Sequence, residues 1–197
     1  MTEAARRRPN DNQMNESDEI LLARMLDGDE EAFAALYRRR QGPVYRFALH
    51  MTNSVAAAED ITQEVFLALL ETGHRFDSSR GSLLSLLYGI ARNHALRRIE
   101  KSWRMEPAAV IEDEPGVEDV LNDVMRRETV EQVRQAVVSL PPMYREAVVL
   151  CYLENLSYEE AAAVLECPVG TVRSRLSRGR VILAQKLIRH AVRTAYE

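Results

Sequence analysis

Apolar residues recur at intervals of three and four along most of this 197-residue chain, which is the period of amphipathic helices. The pattern predicts helices within residues 18–50, 54–72, 83–103 and 143–153, and two more between Leu156 and Arg180. Residues 106–123 break the pattern: they hold seven carboxylates, no Lys or Arg, two prolines and a glycine. That composition predicts an extended linker, so we expect an all-α protein with two helical domains.

The stretch from Leu156 to Arg180 predicts a helix-turn-helix. Ser157 with Glu160 three positions later has the spacing of a capping box, which marks the start of a helix. Cys167 precedes Pro168, which ends the first helix and suits the first turn of a second one. The second helix has one apolar stripe, made of Val172, Leu176, Gly179, Leu183 and Leu187.

The remaining faces of that second helix are cationic and hydroxylic, and no acidic residue occurs from Pro168 to Tyr196. Arginine binds phosphates or guanine edges, and Ser or Thr bonds to phosphate or base. The alternative is a solvated basic face, which is the usual meaning of a charge run. Because the capped two-helix pattern and the cationic face coincide, we favour duplex DNA. The candidate contacts are Thr171, Arg173, Ser174, Arg175, Ser177 and Arg178.

The helix over residues 83–103 is apolar in its first half and basic in its second half, with Asn93, His94 and Trp103 interleaved. Basic residues beside aromatic ones suit single-stranded or melted DNA; the alternative is a core helix with a solvated end.

In the helix over residues 54–72, Phe66 lies off the main apolar stripe, beside Gln63. An exposed aromatic near carboxylates would suit protein docking, but the residues alone favour a core position.

Composition limits the remaining possibilities. Net charge is −4, so DNA binding must come from local patches. The two cysteines and four histidines show no metal-ligand spacing, and no catalytic or phosphate-binding constellation occurs, so neither metal, cofactor nor enzyme activity is expected. Without a signal peptide or an apolar run long enough to span a membrane, we expect a cytoplasmic protein whose residues 1–17 form a disordered tail.

Three segments resemble the extracytoplasmic-function (ECF) sigma factors of bacterial RNA polymerase. AEDITQEVFLALL, residues 58–70, resembles the helix that docks on the polymerase clamp. GSLLSLLYGIARNHALRRI, residues 81–99, resembles the promoter-melting helix, although the family often has an aromatic near Leu83 and a tryptophan at Leu86. Residues 140–180, LPPMYREAVVLCYLENLSYEEAAAVLECPVGTVRSRLSRGR, resemble the domain that binds the −35 element.

The resemblance implies a sigma region 2-like domain over residues 18–104, a flexible acidic linker over 105–123 and a region 4-like domain over 124–197. It implies promoter-specific initiation through the clamp and flap of core RNA polymerase, with control by an anti-sigma factor. The implied clamp contacts are Asp60, Gln63, Glu64 and Phe66. The implied −10 contacts are His74, Arg75, Phe76, Asp77, Arg80, Arg92, Asn93 and Arg97.

Two rival functions share parts of this pattern. A stand-alone transcription regulator would have the helix-turn-helix but would not need the clamp-type helix. An interaction scaffold with the same fold but no promoter activity would not need the arginine-rich second helix. Both features occur in this chain, which favours the sigma factor.

Overall fold

The computed structural model describes residues 16–105 and 131–194, and every regular element in these two ranges is helical. In the first range, α1 spans Asp18–Leu26, α2 Glu30–Thr52, α3 Val55–Thr72 and α4 Leu83–Met105. Two single 3₁₀ turns, Gly73–Arg75 and Ser78–Arg80, form the connection from α3 to α4. The all-α prediction is confirmed.

The second range also consists of helices. Residues 131–138 are helical and are designated α5, and α6 follows over Pro142–Val148. A π-helical turn, Val149–Leu153, continues α6. The last two helices are α7, Tyr158–Val164, and α8, Val169–Thr194.

Polar side chains set the starts of the helices in the first domain. Ser17 caps α1, Asp29 caps α2 and Ser54 caps α3, each accepting a hydrogen bond from a backbone N–H in the first turn. The turn from α1 to α2 passes through Gly28 at φ +91°, a conformation that glycine adopts without the steric penalty of a Cβ. The helices predicted within residues 18–50 and 54–72 therefore form, and α2 continues to Thr52.

Helix α2 lies at the centre of the first domain and packs against α1, α3 and α4. Its Leu36, Phe47 and Met51 are fully buried, as are Ile61 of α3 and Leu87 of α4. Full burial of each such side chain contributes about 1.5–3 kcal/mol. Leu83, where the ECF family often has an aromatic, is also buried, so the departure from the family pattern leaves a core residue there.

Several predictions fall partly or wholly outside the described ranges. The tail lies outside them except for its last two residues, and the linker lies outside them except for residue 105. The proposed domain boundaries stay predictions. Among the described residues, no helix is long and apolar enough to cross a membrane.

Candidate nucleic-acid interface

The helix-turn-helix forms as the sequence predicts. The backbone N–H of Glu160 donates to Ser157 Oγ over 3.2 Å, and the Ser157 N–H donates back to Glu160 Oε2 over 2.8 Å. After α7, Glu166 adopts a left-handed conformation with φ +51°. The carbonyl of Pro168 then accepts from the N–H of Thr171 over 2.8 Å, so α8 begins one residue after the proline.

The apolar stripe of α8 faces the rest of the domain. Val172 and Leu176 are buried among the core residues. Gly179 allows close approach to α6, since a Cβ at this position would lie 3.0 Å from Val148 Cγ2 and 3.7 Å from Tyr144 Cβ. The stripe therefore fixes which side of α8 is turned outward.

The outward side carries most of the predicted DNA contacts. Ser174, Ser177 and Arg178 are exposed, and Thr171 is half-buried. The exposed guanidinium of Arg173 lies over the Tyr158 ring, with Cζ 5.7 Å from the ring centroid. This is a cationic and hydroxylic surface of the kind that binds duplex DNA.

Arg175 differs from its neighbours on α8. Its Nη1 donates to Glu146 Oε1 over 2.9 Å, and the carboxylate of Glu146 is almost fully buried. The structure therefore gives this side chain a partner inside the protein. A DNA contact by Arg175 stays a prediction, since the side chain would first have to leave Glu146.

Five of the predicted −10 contacts line one cavity of about 310 Å³. They come from the loop after α3 and from α4: Arg75, Phe76, Asp77, Arg92 and Asn93. The opposite wall is formed by Ala163, Val164 and Glu166, at the end of α7 in the other domain. His74 and Arg97 are exposed and do not line this cavity, and the side chain of Arg80 lies outside the described residues.

Arg92 crosses from one domain to the other. Its Nε donates to Glu146 Oε2 over 2.7 Å. The Glu146 carboxylate therefore accepts from Arg92 of the first domain and from Arg175 of the recognition helix. Sequence reasoning missed Glu146, because an acidic residue within a predicted helix gives no sign of a partner 54 residues away.

The predicted clamp contacts on α3 form an ion cluster with α4. Arg98 donates to Glu64 over 2.9 Å and to Asp60 over 3.3 Å, and His94 Nδ1 lies 2.6 Å from Glu64 Oε2. The hydrogen bond from Arg98 lowers the pKa of Glu64 below its ordinary value. Asp60 and Gln63 are exposed, so this part of the surface is accessible.

The expectation that Phe66 presents an exposed ring for docking is wrong. Phe66 is 2% exposed and packs against two aromatic rings of α2, with centroid distances of 6.4 Å to Phe33 and 4.7 Å to Tyr37. The core position that the residues alone favoured is the correct one. The exposed apolar side chains of α3 are Leu67 and Leu70, which the sequence reasoning did not single out.

No set of three or more His, Cys, Asp or Glu residues that could hold a metal ion occurs within residues 16–105 and 131–194.

Comparisons with protein families agree with the two helical groups. The Sigma-70 region 2 family model matches residues 36–105, and the Sigma-70 region 4 model matches residues 130–183. The region 2 match covers most of α2 and all of α3 and α4. The region 4 match includes the complete helix-turn-helix.

Related chains align over most of their length. The ECF RNA polymerase sigma factor SigE of Mycolicibacterium smegmatis is 34% identical, over 85% of this chain and 67% of its own. SigW of Bacillus subtilis, another ECF sigma factor, is 32% identical over 84% of this chain and 94% of its own. The ECF sigma-E factor of Escherichia coli K12 is 33% identical over 87% and 94%.

Solved structures share the fold. The sigma factor RpoE of Bartonella quintana, solved with the anti-sigma factor NepR, matches with a TM-score of 0.62 and 25% identity, over 75% of this chain and 91% of its own. CnrH, solved with the cytosolic domain of CnrY, has a TM-score of 0.67 and 24% identity, over 87% and 97%. With both sigma regions matched and relatives aligned over nearly their full length, the chain belongs to the ECF family of RNA polymerase sigma factors.

Proposed function

We propose that the two domains of this sigma factor divide promoter recognition between them, with α8 in the major groove of the −35 element and the first domain at the −10 element. As an ECF sigma factor, the chain directs promoter-specific transcription initiation. The observation that carries the division is the outward face of α8, which is cationic and hydroxylic on a formed helix-turn-helix.

The −35 contacts follow from the exposure of that face. Arg173 and Arg178 reach solvent and can pair with guanine edges or phosphates. The hydroxyl groups of Ser174 and Ser177 can form hydrogen bonds to phosphate or base. Tyr158 supports Arg173 from the side of α7. A base-reading arginine on such a helix contributes about 1–3 kcal/mol to binding of its preferred sequence.

The −10 contacts are proposed for the cavity walls of the first domain. Arg75, Phe76 and Asn93 bring a cation, an aromatic ring and an amide to one concave surface. These groups can neutralise phosphate, stack on an unpaired base and hydrogen-bond its edge. Exposed Arg97 continues the cationic surface along α4.

For the polymerase we propose docking through α3. Asp60, Gln63 and Glu64 offer polar and acidic groups, and Leu67 and Leu70 add exposed apolar area beside them. An apolar centre within a polar rim is the usual anatomy of a protein interface. We assign this surface to the clamp of core polymerase, as the family resemblance implies, and the second domain to the flap.

The chain is not itself an enzyme, since polymerase performs the chemistry, and it acts in the cytoplasm. Control by an anti-sigma factor is supported by RpoE of Bartonella quintana, which shares the fold and was solved with one.

In vitro transcription with core RNA polymerase and a genomic template library tests the proposal. Mapped start sites should share a −10 and a −35 element at fixed spacing. Arg173→Ala and Arg178→Ala should each weaken promoter binding by about 1–3 kcal/mol and relax preference at one −35 position. Lys186→Ala, on the same helix beyond the predicted contacts, is the matched control. Start sites without a shared −35 sequence, or equal binding by all variants, would contradict the assignment.

A further inference from the structure

We propose that Arg98 of α4 is a positioning residue for polymerase docking, because it holds the carboxylates of Glu64 and Asp60 on α3 in the orientation in which they bind a cationic partner surface. The proposal rests on the proposed docking through α3. Its structural part, an ion-pair network that orders the two carboxylates in the free chain, depends only on contacts within the chain.

Arg98 holds Glu64 through both ends of its guanidinium. Nη1 donates to Glu64 Oε2 over 2.9 Å, and Nη2 donates to Oε1 over 3.2 Å. Two parallel bonds of this kind fix the plane of a carboxylate as well as its position. Nη2 also donates to Asp60 Oδ2 over 3.3 Å. One guanidinium therefore holds two carboxylates that lie one helical turn apart on α3.

His94 supports the same carboxylate from one turn earlier on α4. Its Nδ1 lies 2.6 Å from Glu64 Oε2. The side chains of His94 and Arg98 are 26% and 28% exposed, whereas those of Glu64 and Asp60 are 40% and 65% exposed. The cationic groups therefore lie behind the carboxylates, and the carboxylates are the groups that a partner meets first.

The paired carboxylates keep acceptor capacity for that partner. A carboxylate has about four lone-pair sites. Arg98 and His94 contact Glu64 three times, and Arg98 donates once to Asp60. Exposed Leu67 lies on the same helix, one turn after Glu64. The surface thus offers oriented anionic groups beside apolar area, which fits a partner surface that carries cations.

The basic half of α4 has two faces with different surroundings. Asn93 and Arg97, both predicted −10 contacts, are exposed. His94 and Arg98 each follow one residue later, which turns them by about 100° around the helix, and they lie against α3. Basic residues on one helix can therefore serve two partners, with Arg98 acting on the polymerase side.

The loss of Arg98 would have two effects of opposite sign on docking. Its positive charge repels a cationic partner, so removing the charge favours binding. Its bonds order Glu64 before binding, so removing them adds the cost of immobilising that side chain during docking. At physiological salt, repulsion is screened over about 8 Å, whereas ordering is unaffected. We therefore expect the loss of ordering to decide the result.

The affinity of the full chain for core RNA polymerase tests this, measured by anisotropy of a labelled chain. Arg98→Ala should bind about three- to tenfold more weakly than wild type, the cost of immobilising one side chain. Arg98→Lys keeps the charge without the paired bonds and should recover only part of that loss. Lys101→Ala is the matched control, since it removes the same charge from an exposed position on α4 outside the predicted contacts.

Circular dichroism and thermal melting verify that each variant is folded, and Arg98→Gln replaces Arg98→Ala if the latter is not. A double-mutant cycle then shows whether Arg98 acts through Glu64. Glu64→Ala alone should weaken binding, and adding Arg98→Ala should cause less than about a twofold further loss.

An NMR titration of the carboxyl groups, without polymerase, tests the network itself. The hydrogen bond from Arg98 is the main cause that lowers the pKa of Glu64. Arg98→Ala should therefore raise that pKa toward its ordinary value, and Lys101→Ala should leave it unchanged. An unchanged pKa of Glu64 in Arg98→Ala would overturn the network.

The binding results decide the positioning role. Arg98→Ala that binds as tightly as wild type or more tightly would overturn it, and so would Arg98→Lys that equals wild type. Additive losses in the cycle would also overturn it, because Arg98 would then act independently of Glu64. If docking through α3 is itself wrong, Asp60→Ala and Glu64→Ala bind polymerase as wild type does, whereas the change in the pKa of Glu64 still appears.

Discussion

Phe66 and Leu67 are neighbours in the sequence with opposite environments, 2% and 60% exposed. Phe66→Ala should lower the free energy of unfolding by about 3–5 kcal/mol, because it empties a packed aromatic cluster. Leu67→Ala should change it by less than about 0.5 kcal/mol. In a pull-down of core polymerase, Leu67→Ala should bind more weakly than wild type. Urea unfolding and the pull-down together check this, and a Leu67→Ala chain that binds normally would remove Leu67 from the docking surface.

His50 makes stability depend on pH. Burial lowers the pKa of this imidazole below its ordinary value of 6.5, with the positive charges of Arg134 and Arg46 acting in the same direction against Glu154. Below pH 6.5 the unfolded chain therefore binds more protons at this residue than the folded chain does. Stability contributed by neutral His50 is complete above that pH and declines as pH falls.

The prediction for His50 is a falling midpoint of thermal unfolding between pH 7.5 and pH 5.5. His50→Gln should flatten that dependence, because the replacement does not titrate, while carboxylates remain ionised through most of this window. His74→Gln, at an exposed position, is the control. If wild type and His50→Gln show the same slope, another group is responsible.

At the scale of elements, α7 depends on its cap. The reciprocal bonds between Ser157 and Glu160 satisfy two backbone N–H groups that an uncapped helix leaves open. Ser157→Ala should therefore lower the free energy of unfolding by about 1 kcal/mol, as measured in urea. Glu160→Gln should lose much less, because an amide oxygen can still accept from the Ser157 N–H. Equal losses in both variants would mean that the charge of Glu160 matters more than the cap geometry.

Local signals predicted the elements better than they predicted contacts between them. Ser54 and Ser157 lie where the sequence placed helix starts, because capping depends on residues within one turn. The π-helical turn Val149–Leu153 was taken as ordinary helix, since both have a similar apolar period. Phe66 and Arg175 face inward because of partners on other helices, Tyr37 and Glu146, which no local pattern reveals.

For the whole molecule, the net charge of −4 means that DNA binding works against the overall field. Because arginines that pair with phosphates displace counterions from the duplex, affinity for the −35 element should nevertheless fall as the salt concentration rises. If Arg178 contacts a phosphate, Arg178→Ala should reduce the slope of log affinity against log salt by about 0.9. If it reads a base instead, specificity should change more than the slope. Anisotropy titrations at several salt concentrations distinguish the two, and no change in either would exclude Arg178 from the interface.

Glu146 touches an arginine from each domain, and that single carboxylate has a consequence for promoter recognition. If Arg92 leaves Glu146 for the −10 element, this almost fully buried carboxylate depends on Arg175. Arg175 is then harder to release for the −35 element, because its departure would leave a buried charge unpaired. Reciprocity requires the same factor of weakening in either order. Contacts by both arginines at one promoter would therefore add less to its affinity than the sum of the two contacts made separately.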